Sequence, residues 1–368
     1  MIPCIYHNTN IDSIIDGTVV GSTVSIYQWF CKQKTSKDGK FLYVLSSELL
    51  ENWNPAFEWL GKIKLSNNVQ KAVKNKRAVI LIDITLESLS IEEFKPMWEK
   101  FQKLNNFDYT DQSNIIYLTS NINFPNLEGC TVIKDHFVLA AAKNIWFTGY
   151  HKQRNEFTCM IDHKIKTIAN NRIKENWTHK FVCLQQRPRK FRKELYKKLR
   201  KDFDKNESIC TLRKDDEIGF VEVSPYDSFL ENEHIEWHQI NEDHFSYTKY
   251  SVVSERNYYN NECAPFTTEK VLKNLILPQP FVLCSYKNHI KELKKLGFKI
   301  YDDLIDHSYD SYDDDKRMDA VINELKRVLN ITPDLYTEQA KFNCDIIKNN
   351  QIFEDVFKYI SKILDIQE

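Results

Sequence analysis

The amino-acid sequence predicts an α/β chain folded as two domains, each an open, mainly parallel sheet flanked by helices. Three observations predict it. A length of 368 residues is enough, at roughly 150 per domain, for two domains that each bury a core. Hydrophobic residues at 42% against 28% charged supply the apolar surface that a packed interior needs. Short apolar runs rich in branched residues alternate with longer stretches of helical period, the rhythm of strand, helix and parallel strand.

The clearest early strand is Ala78-Val79-Ile80-Leu81-Ile82, ending at Asp83. Ser90-Ile91-Glu92-Glu93 then opens a helix with apolar positions Phe94, Met97, Trp98, Phe101 and Leu104, and Ile115-Ile116-Tyr117-Leu118 is the next strand. Asp83 and Thr119-Ser120-Asn121 therefore stand at carboxyl ends of strands, the edge where open α/β sheets bind ligands, although turn and cap chemistry reads equally well there. The polar stretch His151 to Asn176 lacks strand runs and marks the passage between domains. Phe181-Val182-Cys183-Leu184 follows as a strand. Gln185-Gln186-Arg187-Pro188-Arg189 turns from it into a helix with apolar Phe191, Leu195 and Leu199, bringing Arg187, Arg189 and Arg192 to that helix's start. Tyr250-Ser251-Val252-Val253 is a strand ending in Ser254-Glu255, and a loop leads on to Thr267-Thr268-Glu269-Lys270 and a helix over Val271 to Leu277. Pro278-Gln279-Pro280 breaks that helix, Phe281-Val282-Leu283-Cys284 is a strand, and His289 to Leu296 is a helix stopped by Gly297. Met318, Val321, Ile322, Leu325 and Val328 mark another helix, and Phe342 to Leu364 the last. The expected division is residues 1–172, 173–340 and a C-terminal helix in 341–368.

Several classes are excluded. Nine cysteines are an odd number without any C-x-x-C pair, which argues against a disulfide framework or zinc ribbon and fits a reducing cytoplasm. None of the eight glycines forms G-x-G-x-x-G or G-x-x-x-x-G-K-[ST], so dinucleotide and P-loop signatures are missing, as is the G-x-S-x-G nucleophile turn. No run approaches the roughly 18 apolar residues of a membrane span, so no span is expected. Basic and acidic residues nearly cancel, 51 against 52, so attraction to a polyanion has to be local. From His179 to Lys214, thirteen Lys and Arg stand against four Asp and Glu, a surplus of nine. Lys197, Lys198, Arg200 and Lys201 in that stretch read as the solvated face of an amphipathic helix.

Ser254-Glu255 followed by Thr268-Glu269-Lys270 resembles the pattern of two-Rossmann (GT-B) glycosyltransferases. The groups it is similar to are the fucosyltransferases, the exostosins and the glycosyltransferase-like proteins of large viruses and bacteriophages. The same resemblance extends to Phe181 through Arg189, to Leu296-Gly297-Phe298-Lys299 and to Asp306-His307-Ser308-Tyr309-Asp310. It covers roughly Lys180 to Leu329 well and the N-terminal half loosely. It implies two facing Rossmann-like domains and a cytoplasmic, metal-independent enzyme that moves a sugar from a UDP- or GDP-sugar to a glycan or to a modified base of viral DNA. It also implies a donor site of Arg187, Arg189, Ser254, Thr268, Glu269 and Lys270, with Glu269 on the ribose, Lys270 and Arg187 on the diphosphate, and Glu255 near the sugar or phosphate. Cations there would meet charge that grows as the sugar bond breaks.

Transfer with inversion needs a general base, and Asp83 leads Glu87, Asp135 and His136 as the candidate because it ends a buried strand. Glu262 and Glu269 lie seven apart where the E-x7-E pattern of many retaining enzymes needs eight, which favours inversion. Asp313-Asp314-Asp315 fits D-x-D but reads as the acidic start of a helix, and His234, His238 and His244 lack the glutamate placement of H-E-x-x-H. The alternative is a catalytically silent module that binds nucleotide or nucleic acid.

Overall fold

The computed structural model describes residues 4–8, 11–13, 40–46, 60–85, 89–107, 114–147, 156–185, 189–212, 240–259 and 267–364. The chain has a mixed α/β fold of parallel sheets flanked by helices. It divides into two compact units, Met1–Asn144 with Cys263–Phe266 and Asn350–Glu368, and Ile145–Glu262 with Thr267–Asn349.

The first unit is built on six strands: β1 (Cys4–Asn8), β2 (Ile11–Ser13), β3 (Phe41–Ser46), β4 (Ala78–Ile84), β5 (Ile115–Thr119) and β6 (Thr131–Lys134). Their order is β2-β1-β3-β4-β5-β6, and only β2 runs antiparallel to its neighbour. Every residue of β4 is buried, as a strand covered on both faces must be. Alternate residues serve the two faces. Val79 and Leu81 pack with α3 (Phe137–Phe147) and α11 (Ile352–Ile363), whereas Ile80, Ile82 and Ile84 pack with α1 (Asn67–Lys74) and α2 (Ile91–Leu104). Helix α2 starts on the expected capping box: Ser90 Oγ accepts the Glu93 N–H at 3.2 Å and Glu93 Oε2 accepts the Ser90 N–H at 2.8 Å.

The second unit carries β7 (His179–Cys183), β8 (Ser208–Cys210), β9 (Thr248–Ser254) and β10 (Phe281–Cys284), all parallel, in the order β10-β9-β7-β8. Helix α5 (Lys190–Asp202) leads from β7 outward to β8, and α7 (Glu269–Leu275) leads from β9 to β10 on the opposite side. The chain therefore reverses direction across the sheet between β7 and β9. Helices α4 (Glu156–Ile173), α6 (Glu242–Ser246), α8 (His289–Lys295), α9 (Asp314–Leu329) and α10 (Thr337–Asn349) complete the unit. Gly297 ends α8 at φ +90°, with its N–H on Lys294 O and the Phe298 N–H on Leu293 O, the two bonds of a Schellman stop.

Two elements differ from the sequence reading. Residues 151–176 were expected as a polar passage, yet they contain α4, which belongs to the second unit. Arg172, only 3% exposed, ties that helix down by donating to the carbonyls of Phe245, Thr248 and Lys249. The single C-terminal helix is two, α10 and α11. At the break, the Asn350 carbonyl accepts from Lys143 at 2.5 Å and its side-chain amide donates to Leu139 O at 3.3 Å, bonds that replace a continuing helix. No helix among the described residues is long and apolar enough to cross a membrane, and Cys130, Cys183, Cys210, Cys284 and Cys344 are free thiols.

Candidate functional site

In a doubly wound parallel sheet, the crevice for a ligand opens at the carboxyl ends of the two strands between which the strand order reverses. In the second unit those strands are β7 and β9. Along their ladder Val182 stands beside Ser251, and carrying that register forward places Gln185 level with Ser254. Both side chains are buried, at 1% and 2% exposed. The Gln185 amide nitrogen donates to Cys183 Sγ at 3.3 Å, while its Oε1 and the Ser254 hydroxyl are buried without a hydrogen-bond partner among the described residues. Orphan polar atoms of this kind cost free energy in a folded chain, and their pairing by a ligand would recover it.

Glu255 follows directly and is fully buried. Its Oε1 accepts the Thr268 N–H at 2.9 Å and its Oε2 accepts the Arg256 N–H at 2.9 Å, so the carboxylate clips the end of β9 to the turn that opens α7. Burial pushes its pKa up, and the Lys270 charge and Thr268 N–H pull it back only in part. Thr268 caps α7 by accepting the Lys270 N–H at 3.2 Å, and Glu269 and Lys270 pair at 2.6 Å. Burial would raise the Glu269 carboxyl as well, but Lys270 and Lys273 outweigh it and hold the group below its ordinary value. Lys273, one turn beyond Lys270, is pushed down to about 8 by burial and by its lysine neighbour, with Glu269 opposing. The result is a carboxylate set between two amines, an arrangement that can accept from a diol and attract an anion.

Arg192 closes the floor. It is 3% exposed and donates to Glu255 O at 2.8 Å and to Ser254 O at 3.4 Å, fixing the strand end from α5. Burial, and then the nearby Arg189 charge, lower its pKa to about 10. Arg189 itself is half-buried at the residue before α5. Behind the Thr268 turn, His289 bridges two hydroxyls, Thr267 Oγ1 at 2.9 Å and Ser285 Oγ at 2.7 Å, and stacks on Tyr286 at 4.2 Å between ring centroids. Cys183 and Cys284 border the same edge, their thiol pKa values raised by the Cys210 hydrogen bond and burial at the first, and to about 12 by burial at the second. Neither is a ready nucleophile near neutral pH.

The structure thus brings together Ser254, Glu255, Thr268, Glu269 and Lys270 at one edge, with Arg189 close to Arg192. Arg187 and Glu87 lie outside the described residues, as do His234 and His238. Asp83 belongs to the first unit, at the carboxyl end of β4, where it is 2% exposed and its Oδ1 accepts the Thr85 N–H at 2.9 Å. Asp135 accepts the His136 N–H at 2.7 Å ahead of α3, and Ser120 and Asn121 bond the carbonyls of Thr85 and Leu89, the turn chemistry their sequence also suggested. Asp313 stands at the residue before α9, with Asp314 and Asp315 in its first turn; Asp313 pairs with Lys287 and Asp314 with Arg317, as expected of an acidic helix start. Asp310, in the Asp306–Asp310 stretch, accepts the Ile290 and Lys291 N–H groups at the start of α8. Among the described residues no cluster of His, Cys, Asp and Glu could hold a metal ion.

Sequence reasoning did not assign Gln185, Arg192 or Lys273 to the site. The signal for Lys273 was present in its spacing, four residues after Glu269 on one helical face. Comparison of the chain with protein-family models, curated proteins and solved structures finds no match.

Proposed function

We propose that the chain is a nucleotide-sugar-dependent glycosyltransferase of two Rossmann-like domains, with the donor seated at the carboxyl ends of β7 and β9. The observation that carries this reading is the meeting of Ser254-Glu255 with Thr268-Glu269-Lys270 where the strand order reverses. Glu269, held ionised by two lysines, suits a ribose diol, and Lys270 and Lys273 leave net positive charge for a diphosphate. Gln185 Oε1 and Ser254 Oγ are polar atoms at the same edge that find no partner among the described residues. The acceptor hydroxyl attacks the anomeric carbon, the bond to the diphosphate oxygen breaks, and a base takes the hydroxyl proton. In this reading the charge that stabilises the leaving group comes from side chains. The acceptor we propose is a glycan or a modified base of viral DNA.

A second reading is favoured by one observation. Both oxygens of Glu255 are taken by backbone N–H groups, which suits a framework role in a silent nucleotide-binding protein. Calorimetry with UDP-, GDP- and CMP-sugars, followed by assay of donor hydrolysis and transfer, separates the two. Binding with turnover that disappears in Asp83→Asn supports the enzyme with Asp83 as base. Binding without turnover supports the silent module, and binding of none of the panel overturns both.

A further inference from the structure

A groove of about 1010 Å³ lies beside α8 in the second unit, between that helix and residues 302–311, with Arg327 of α9 also on its wall. It shares no residue with the candidate donor site. Lys291 and Lys294, which line it, lie about 200° and 140° around α8 from His289, whose ring meets Thr267 behind the donor turn. The groove and the donor edge therefore adjoin different sides of one helix.

The walls are held by bonds within the chain. Lys294 pairs with Asp302 at 2.6 Å, the Tyr336 hydroxyl donates to Asp303 at 3.1 Å and Arg327 donates to the Leu304 carbonyl at 2.5 Å, which pins the 302–304 turn from three elements. Asp310 ties the following turn to α8 by accepting the Ile290 and Lys291 N–H groups at 3.0 and 3.2 Å. Tyr309 Oη accepts the Leu283 N–H at 3.2 Å and so gives its own proton to His307 Nδ1 at 3.2 Å, leaving the His307 Nε2–H for the Ile300 carbonyl at 3.1 Å. Polar groups fixed in this way lose little further freedom when a ligand binds.

The lining selects the ligand by its chemistry. Four aspartates stand against two lysines and an arginine, so the charges nearly balance, and Ile290, Leu304 and Ile305 supply apolar surface. A polyanion would meet the carboxylates, a polycation would meet the basic groups, and a mainly apolar molecule would take the polar groups out of water without pairing them. An uncharged sugar chain meets none of these penalties, because each hydroxyl can donate to a carboxylate and accept from an ammonium while the C–H faces of the rings cover the apolar side chains. Among the described residues the Asn288 amide, the Lys291 ammonium and the Ser308 hydroxyl, all on exposed residues, make no hydrogen bond or ion pair. The walls are a helix and a run of turns, so an extended peptide has no strand edge to join there.

We propose that this groove binds an uncharged oligosaccharide at a site separate from the donor seat. The test is saturation-transfer difference NMR of the full chain with maltotetraose, cellotetraose, mannotetraose, tetra-N-acetylchitotetraose and lacto-N-tetraose, followed by titration of any that binds. At least one is expected to bind, with a Kd that changes less than about twofold between 50 and 500 mM salt because the ligand carries no charge. Asn288→Gly removes an amide and suits the φ of +67° at that residue, and Lys291→Met keeps the aliphatic stem. The double variant, shown by far-ultraviolet circular dichroism to be folded, should bind at least tenfold more weakly, and Glu269→Ala should bind as the wild type does. Binding of none of the five at 10 mM overturns the proposal, as does binding that survives intact in the double variant. Loss of binding in Glu269→Ala would place the sugar in the donor seat, and binding confined to charged tetragalacturonate would make the site ionic; either result also overturns it.

Discussion

Lys273 offers the most quantitative test of the electrostatics at the β9–α7 edge. A lysine held at about 8 is half neutral at pH 8, whereas an ordinary lysine near 10.4 is about 0.4% neutral. Only the neutral amine acylates, so Lys273 should carry roughly a hundredfold more reactive amine at pH 8 than a lysine at the ordinary value. The perturbation is to remove each charged neighbour in turn. A unit charge about 6 Å away, the general spacing of helix neighbours three or four residues apart, with an effective dielectric constant of about 20 contributes about 2.8 kcal/mol, or about two pH units, and partial exposure reduces this toward one. Lys270→Gln should therefore raise the Lys273 midpoint by about one unit and Glu269→Gln should lower it by about as much. The assay is competitive acylation with an isotopic tag across pH 6–11, read by mass spectrometry of the peptide containing Lys273. Linkage gives the sign for stability. Between about 8 and 10.4 the unfolded chain holds more protons than the folded one, so stability contributed at this site rises with pH through that window and falls as pH returns to 8. Lys273→Met should flatten that rise. A midpoint of Lys273 at the ordinary lysine value of about 10.4, or one indifferent to both substitutions, refutes the reasoning.

Other outcomes follow from the same edge. Ser254→Ala deletes a buried hydroxyl without a partner, so thermal unfolding should move upward or stay within about 0.5 kcal/mol while nucleotide affinity falls about tenfold. Lys270→Ala should lower kcat/KM for transfer by about a hundredfold, near 2.7 kcal/mol, because leaving-group charge is greater in the transition state than in the bound donor. Glu269→Ala should act on nucleotide affinity instead, since a ribose contact is similar before and during reaction. Arg172→Met leaves the carbonyls of Phe245, Thr248 and Lys249 without their donor and should destabilise the second unit by about 3 kcal/mol or more, read by urea denaturation. The lowered Glu269 pKa contributes stability above the ordinary carboxylate range that is lost as pH falls through and below it, so Glu269→Gln should reduce the acid sensitivity of unfolding.

The rhythm of the fold was legible where strands are continuous branched runs. Ala78–Ile82, Ile115–Leu118, Tyr250–Val253, Phe281–Cys284 and, of the expected Phe181–Leu184, Phe181–Cys183 form strands, because burial on both faces leaves no polar alternation to blur the pattern. Helix ends written in local chemistry, the Ser90 capping box that starts α2 and Gly297 that stops α8, were legible too. Shorter elements were not. The three residues of β8 carry no period of their own and are strand because β7 pairs them. Phe41–Ser46 was not singled out although it too is an apolar run, six residues long. Helix α4 escaped because its buried Ile161, Ile168 and Ala169 stand among many polar residues and a buried arginine donates to three carbonyls, which reads as polar sequence. At the candidate site, the residues were nameable but their partners were not. Only the structure shows that Glu255 binds the Thr268 N–H thirteen residues away, or that Gln185 comes level with Ser254 through strand pairing.

The location of the donor seat is tested most directly by an acylation footprint of the full chain with and without saturating UDP-sugar, GDP-sugar or CMP-sugar. With the nucleotide that binds, Lys270 and Lys273 are predicted to lose most of their labelling while Lys197 and Lys201 keep theirs. Saturable binding that leaves Lys270 and Lys273 fully reactive, or protection confined to lysines away from the carboxyl ends of β7 and β9, would contradict the account.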